Sequence, residues 1–327
     1  MRALVTGGTG FIGSSIVREL LRAGYCVRAL VRKNSDTRNI DGLDIERVTG
    51  DITDFSSLKE AMTGCTHVFH AAALYSFWVR TPSLIEHVNV DGTRNVLQAA
   101  LEEGVERVVY TSSVAALAVP EKGRPVDEST PVDPKRIIGA YKKSKYEAEQ
   151  VALEYVKKGL PVVIVNPSFP VGPRDIKPTP TGQTILDFLN HRLPAYVDTG
   201  MNVVDVEDVA RGHLLASEKG RIGERYILGG KNMQMKEFLA ILEKITGIPA
   251  PHLQIPYAPL LALSYLNAAW CRITGTTPRM TPDTIRMSRH YMYYDPTKAI
   301  EELGMPQTPP EVALKKAVDW FIAQRKI

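Results

Sequence analysis

Apolar positions along the first half of the chain repeat in two alternating rhythms. Residues 2–6 form a short apolar run ending in glycines, and 11–23 then place Ile12, Ile16 and Leu20, with Val17 and Leu21 beside them, on one helical stripe before Gly24. Short apolar runs at 27–31, 45–48, 67–72, 105–111 and 161–165 read as further strands. Helical spacing fills most of the gaps between them, at 56–62, 83–103 and 141–158. Strand and helix in alternation predict βαβ units, a parallel sheet and right-handed crossovers. The unbroken apolar stretch Val162, Val163, Ile164 and Val165 suits a strand covered on both faces.

The rhythm breaks after about residue 167, where Pro167, Pro170, Pro173, Pro178 and Pro180 cluster. Helices are expected at 183–190, 206–217, 235–245 and 310–323, with short strands near 203–204 and 226–228. The longest apolar segment, 258–273, is interrupted by Ser264 and Asn267. A membrane span needs roughly 18 or more apolar residues, so this segment reads as a helix of the folded chain with no transmembrane role. It is placed as a lid over the site, with contact to a membrane surface as the alternative, although its polar face has few basic residues for an interfacial helix.

Composition narrows the class. The 327 residues are 44% apolar and 23% charged, which excludes disordered and collagenous chains and leaves room for one large or two unequal domains. Forty basic against 36 acidic residues give a net charge of +4, with no run of five or six Lys or Arg, so no nucleic-acid partner is expected. Cys26, Cys65 and Cys271 are far apart and form no CxxC, which reads as a reduced, cytoplasmic chain without a disulfide framework. The apolar start at Ala3 runs into Gly7 too soon for a signal peptide. No metal is expected: His67 and His70, three apart on a strand, face opposite ways, and His213 on a helix reads as packed or surface.

The sharpest local motif is Thr6-Gly7-Gly8-Thr9-Gly10-Phe11-Ile12-Gly13. It follows a strand and opens a helix, the setting a dinucleotide fingerprint requires. Gly7 permits the tight turn, Gly10 lets backbone approach a pyrophosphate, and Gly13 allows close helix–strand packing. The helix N-terminus offers free N–H groups to phosphate. The second strand ends in Arg32 and Lys33 where NAD-binding folds carry an acid, so NADP is the expected cofactor; Asp36 further along the loop keeps NAD in play. Asp51, at the end of the third strand, is placed to meet the adenine edge.

Tyr141 and Lys145 are four apart on a predicted helix and share a face. A nearby cation favours phenolate and lowers a tyrosine from about 10 toward a useful acid–base range. The same spacing at Tyr294 and Lys298 is broken by Pro296, which leaves Tyr294 outside the helix, so that pair reads as a coincidence of spacing. Ser112 and Ser113 end the strand before, beyond the carboxyl edge of the sheet where ligands sit.

Together these residues resemble the extended short-chain dehydrogenase/reductases. The matching segments are the glycine turn, Asp51-Ile52, His70-Ala71-Ala72-Ala73, Asn89-Val90-Asp91-Gly92-Thr93, Thr111-Ser112-Ser113 and Tyr141 with Lys145. The stretches around Val163–Ser168, 177–182, 194–200 and 225–230 narrow the resemblance to the hopanoid-associated sugar epimerases, near the dihydroflavonol 4-reductases. The resemblance covers nearly the whole chain. It implies a doubly wound parallel Rossmann sheet over 1–167 that binds NAD(P), and a smaller mixed α/β substrate-binding part over 168–327 with some segments returning to the sheet.

By that resemblance Tyr141 moves the proton, Lys145 holds the nicotinamide ribose, and Ser113 orients the carbonyl. Gly7, Thr9, Gly10, Phe11, Ile12, Gly13, Arg32, Lys33, Asp51 and Ile52 are placed around the cofactor. So are Ala71, Ala72, Ala73, Asn89, Thr111, Pro167 and Ser168, with Asn89 bracing the helix near Lys145. Tyr75, Phe77, Trp78 and Phe169 suggest an aromatic substrate pocket. Three departures bear on substrate. The segment after the sixth strand is Asn166-Pro167-Ser168-Phe169-Pro170, Val114 and Ala115 follow Ser113 where dehydratases carry Asp-Glu, and Asn202 stands where the sugar-nucleotide enzymes place a diphosphate-gripping arginine. The expectation is an NADP(H)-dependent oxidoreductase reducing an apolar ketone or aldehyde. The alternatives are an epimerase with transient oxidation and a non-enzymatic NAD(P) sensor. The resemblance also implies a homodimer through the helices around 89–103 and 141–158.

Overall fold

The computed structural model describes residues 1–75, 82–121, 123–274, 276 and 281–324. The chain runs β1 (Arg2–Thr6), α1 (Phe11–Arg22), β2 (Cys26–Val31), β3 (Glu46–Thr49), α2 (Phe55–Met62), β4 (His67–His70), α3 (Pro82–Glu86), α4 (Gly92–Glu102) and β5 (Arg107–Thr111). It continues α5 (Ala140–Lys157), β6 (Val162–Pro167), β7 (Phe169–Val171), α6 (Pro180–Leu189), β8 (Gly200–Asp205), α7 (Val206–Lys219), β9 (Arg225–Leu228) and β10 (Lys231–Gln234). Last come α8 (Met235–Thr246), α9 (Tyr257–Thr274), α10 (Pro282–Ser288), β11 (Tyr291–Met292) and α11 (Pro310–Ala323).

Seven parallel strands form one sheet in the order β3-β2-β1-β4-β5-β6-β9. Strand order reverses between β1 and β4, which opens a crevice beyond their carboxyl ends. Alternation along the strands feeds two cores. Ala3, Val5, Val163 and Val165 pack with Ile16, Leu20 and Leu214 under α1 and α7, while Leu4, Val162 and Ile164 pack with Leu58, Val96 and Val151 under α2, α4 and α5. The doubly covered strand expected at 162–165 is therefore present. The second half returns β9 to this sheet and packs α7 against α1. A smaller mixed sheet, β10-β8-β11 with β7 on β8, builds a third core with α6, α8 and α11.

The structure adds what periodicity hides. Helix 83–103 is interrupted by a π-helical turn, His87–Asp91, which α3 and α4 flank. Strands β7, β10 and β11 have two to four residues, too few to show a period, and α10 has seven. α6 begins at Pro180 because the Thr179 hydroxyl accepts the Gly182 N–H at 3.1 Å and proline fits the first turn. The outward face of α9 carries Leu263, Leu266, Trp270 and Ile273, while Leu260, Ser264 and Cys271 face inward. No helix among the described residues is long and apolar enough to cross a membrane.

Candidate active site

β1 delivers the chain to a turn that only glycine permits. Gly7 has φ +72°, and a Cβ there meets the Ala72 backbone nitrogen at 2.6 Å; at Gly13 a Cβ meets the Gly7 carbonyl oxygen at 2.1 Å. The Gly10 N–H closes the turn on Gly7 O at 2.9 Å. The N–H groups of Phe11, Ile12 and Gly13 have no backbone acceptor among the described residues, and no acid sits in the first turn of α1. Free N–H groups and the positive helix end together make an anion seat.

Two adjoining cavities, of about 550 and 530 Å³, share Gly7, Gly10, Phe11, Arg32, Ala71 and Lys177 in their walls. The first extends over the ends of β1–β3. It takes in Thr9, Asp51, Ile52, Ala72 and Ala73. Asp51 is both wall and turn residue: its Oδ1 accepts from Thr53 N at 2.9 Å and Thr53 Oγ1 at 2.8 Å. Of the two basic residues after β2, Arg32 lines both cavities, whereas Lys33 is exposed and absent from both linings. Asp36 also lines the first cavity, but Arg38 grips its carboxylate through Nε at 3.0 Å and Nη2 at 2.6 Å, which holds its pKa down at about 2.

The second cavity lies over β5 and β6. Ile12, Gly13, Thr111, Ser113, Tyr141, Lys145, Pro167, Ser168, Phe169 and Tyr75 all border it. The Tyr141 hydroxyl hydrogen-bonds Ser113, and its ring meets the Tyr75 ring edge-on with centroids 4.7 Å apart. Lys145 Nζ donates to the Thr111 carbonyl at 2.8 Å. Burial pulls Lys145 down to about 8, against the pull of Glu149, and pushes the Tyr141 phenol well above its ordinary value despite Ser113. The lowering of Tyr141 by its lysine, expected from spacing, is not what the structure has. Desolvation of the buried phenol outweighs the lowering by Ser113.

The two serines have separate tasks. Ser112 Oγ donates to Glu149 Oε2 at 2.5 Å inside the core, which leaves Ser113, whose Oγ accepts the Ala115 N–H at 3.1 Å, as the serine in the cavity. Asn89 sits in the π turn, outside both linings. It accepts from Leu74 N at 2.7 Å and donates to Ser144 Oγ at 2.9 Å, bracing α5 next to Lys145. His213 is packed, not exposed: its Nδ1 bonds Val209 O at 2.8 Å and its Nε2 meets Thr111 Oγ1 at 2.9 Å. Burial holds that ring neutral, with a pKa of about 4. No group of His, Cys, Asp or Glu among the described residues is arranged to hold a metal.

Several wall residues escaped sequence reasoning. Lys177, Lys142, Met287, Met292 and Tyr294 border the second cavity. Tyr294 stands outside the following helix, as Pro296 implies, and Lys298 pairs with Glu224 at 2.6 Å instead. Yet Tyr294 reaches the cavity through β8 and β11, which no local spacing reveals. α10 supplies Met287 to the wall, and no described α9 residue borders the cavity. Phe77 and Trp78 lie outside the described residues. Asn202 is fully buried, with Nδ2 donating to Gly230 O at 2.9 Å and Asn232 Oδ1 at 2.8 Å, and Oδ1 accepting from Gly230 N at 2.8 Å.

The family model described as the NAD dependent epimerase/dehydratase family matches residues 3–229. A protein of Synechocystis sp. with the provisional name dihydroflavonol 4-reductase is 49% identical over 321 residues, covering 97% of this chain and 93% of its own. The 4-hydroxy-2-methyl-3-oxo-4-farnesyl-3,4-dihydroquinoline-1-oxide ketoreductase of Stigmatella aurantiaca is 34% identical over 315 residues, 93% of this chain and 91% of its own. Among solved structures, a nucleoside-diphosphate-sugar epimerase from Pseudomonas aeruginosa matches with a TM-score of 0.83 at 28% identity, over 100% of this chain and 99% of its own.

Proposed function

This chain belongs to the NAD-dependent epimerase/dehydratase family, the extended short-chain dehydrogenase/reductases, and from that premise we propose that it reduces a largely apolar ketone or aldehyde with NADPH. The observation that carries this reading is the meeting of Ser113, Tyr141 and Lys145 in one cavity beside the glycine turn. When bound, the nicotinamide supplies or takes up a hydride. The residues around it do the rest. The hydroxyls of Ser113 and Tyr141 hold the substrate oxygen, and Tyr141 gives it a proton. Lys145 holds the cofactor ribose beside the Thr111 carbonyl. Gly10 and the first turn of α1 take the pyrophosphate, and Asp51 and Ile52 face the adenine.

Residues 1–167 bind the cofactor and 168–327 shape the substrate chamber, apart from β9 and α7. Helices α4 and α5 are the proposed homodimer face. Cys26, Cys65 and Cys271 are free thiols, which suits a reducing compartment, and the cytoplasm is the compartment we propose.

Asn202 favours a reductase over a sugar-nucleotide epimerase. Its amide is used up inside the fold, so no grip on a diphosphate is built there. With NADPH and a broad panel of aromatic aldehydes and ketones, we expect one NADPH oxidised per alcohol formed. Cofactor that co-purifies, with no net NADPH loss on any carbonyl, is the epimerase outcome and overturns the reading.

Arg32 supports NADP over NAD, since it borders both cavities while the competing Asp36 is engaged by Arg38. A guanidinium on a 2′-phosphate makes a charge-assisted contact. Arg32→Gln is therefore expected to lower kcat/KM for NADPH by roughly 10- to 30-fold while changing that for NADH less than about twofold. Equal losses with both cofactors count against the assignment.

A further inference from the structure

Lys142 is the cation that the proposed reaction does not use. It follows Tyr141 on α5, is only 6% exposed, and borders the second cavity together with Met287 and Met292. Among the described residues no acceptor or carboxylate takes up its ammonium, and burial alone draws it down to about 8. The stem is packed away, but Nζ is not among the sealed buried atoms, so the ammonium faces the cavity, where an anion can take the place of water beside it.

The surroundings favour an anion. No Asp or Glu borders this cavity among the described residues. Of its other cations, Arg32 and Lys177 also border the first cavity, and Lys145 is held by Thr111. Arg136, Arg289 and Lys142 are all close enough to lower the pKa of His290, after its burial, so the charge in this region of the fold is positive. The nearby acid on α10, Asp283, pairs with Arg286 at 2.9 Å. One ammonium, with no guanidinium fork beside it on the wall, matches a singly charged group better than a phosphate dianion.

Resting on the reading of this cavity as the substrate chamber, we propose that the substrate carries a carboxylate that pairs with Lys142, its apolar body lying against Phe169, Met287 and Met292. Lys142 then sets specificity: it draws in the acid and disfavours the neutral analogue, which displaces water from the ammonium without pairing it.

The test has two arms on the full-length protein. In the first, NADPH-dependent reduction of 4-formylbenzoate is compared with that of its neutral methyl ester. The wild type is expected to prefer the acid in kcat/KM by about tenfold, Lys142→Met to bring the ratio to about one, and Lys142→Arg to restore most of it. In the second, calorimetry measures benzoate binding to the NADP⁺-saturated protein, with an expected loss of about tenfold in Lys142→Met. Methionine keeps the apolar bulk of the packed stem and no partner is stranded, so this variant is expected to melt no lower than wild type.

A preference that survives Lys142→Met, or benzoate affinity that is equal in both proteins or absent from the wild type, overturns the proposal. If neither aldehyde is turned over, the calorimetry still decides the anion site, and the broad carbonyl panel separately decides the reductase reading.

Discussion

Tyr141→Phe is expected to slow carbonyl reduction about 10³-fold while NADPH still binds within about twofold of wild type. The phenylalanine ring keeps the edge-on contact with Tyr75 and the buried position on α5, so what is lost is the hydroxyl and its bond to Ser113. A rate loss of about 10³ is about 4 kcal/mol of transition-state stabilisation, within reach of one proton donor to a developing alkoxide. The protonation state fits the reductive direction. Burial holds the phenol protonated at neutral pH, ready to donate, whereas alcohol oxidation needs the scarce phenolate. Oxidation by the wild type is therefore expected to rise with pH across the neutral range while reduction stays nearly flat. Stopped-flow measurement of hydride transfer, with NADPH fluorescence titration beside it, checks both parts. Turnover within tenfold of wild type in Tyr141→Phe removes the proton role.

Much of this was legible because it is local. A glycine turn between β1 and α1, a Tyr and a Lys one helical turn apart and a serine at a strand end are short-range patterns, and the sheet brings them together once the alternation is read. What stayed hidden depends on distant parts of the chain. Tyr294 enters the wall because β11 pairs with β8, and Lys142 becomes significant only when Met287 of α10 and Met292 of β11 line the same cavity. The π turn at Asn89 has no periodic signature, since one extra residue in a helix moves the stripe without erasing it. The direction of the Tyr141 shift was also out of reach: spacing shows a neighbouring cation but not how completely the fold buries the phenol. The serine pair shows both sides of this. The strand end placed two hydroxyls, and only the buried carboxylate on α5 distinguishes them.

That carboxylate, Glu149, is the second position where a single change has a large expected effect. It is fully buried and joins four elements. Ser112 at the end of β5 donates to it at 2.5 Å, Asn166 on β6 at 2.9 Å, and Arg225 on β9 pairs with it at 2.7 Å from α5. Asn166 also donates to the Ser113 carbonyl at 3.0 Å, so the carboxylate fixes the backbone that carries the cavity serine. Removing one partner of a buried pair leaves the other charge and two donors unsatisfied, which costs about 3–5 kcal/mol. Arg225 keeps 22% of its side chain in solvent, which places the expected loss for Glu149→Ala toward the lower end, about 3 kcal/mol. Replacing both charges by Glu149→Gln with Arg225→Gln keeps polar groups in place and strands no ion, so the double variant is expected to be more stable than Glu149→Ala. Urea denaturation of the three proteins measures this. A loss below about 1 kcal/mol in Glu149→Ala, or a double variant weaker than the single, contradicts the account. Carbonyl reduction is expected to fall in Glu149→Ala under conditions where the protein is still folded, through kcat more than KM, because the Ser113 segment loses its anchor while the cofactor seat on the glycine turn is untouched.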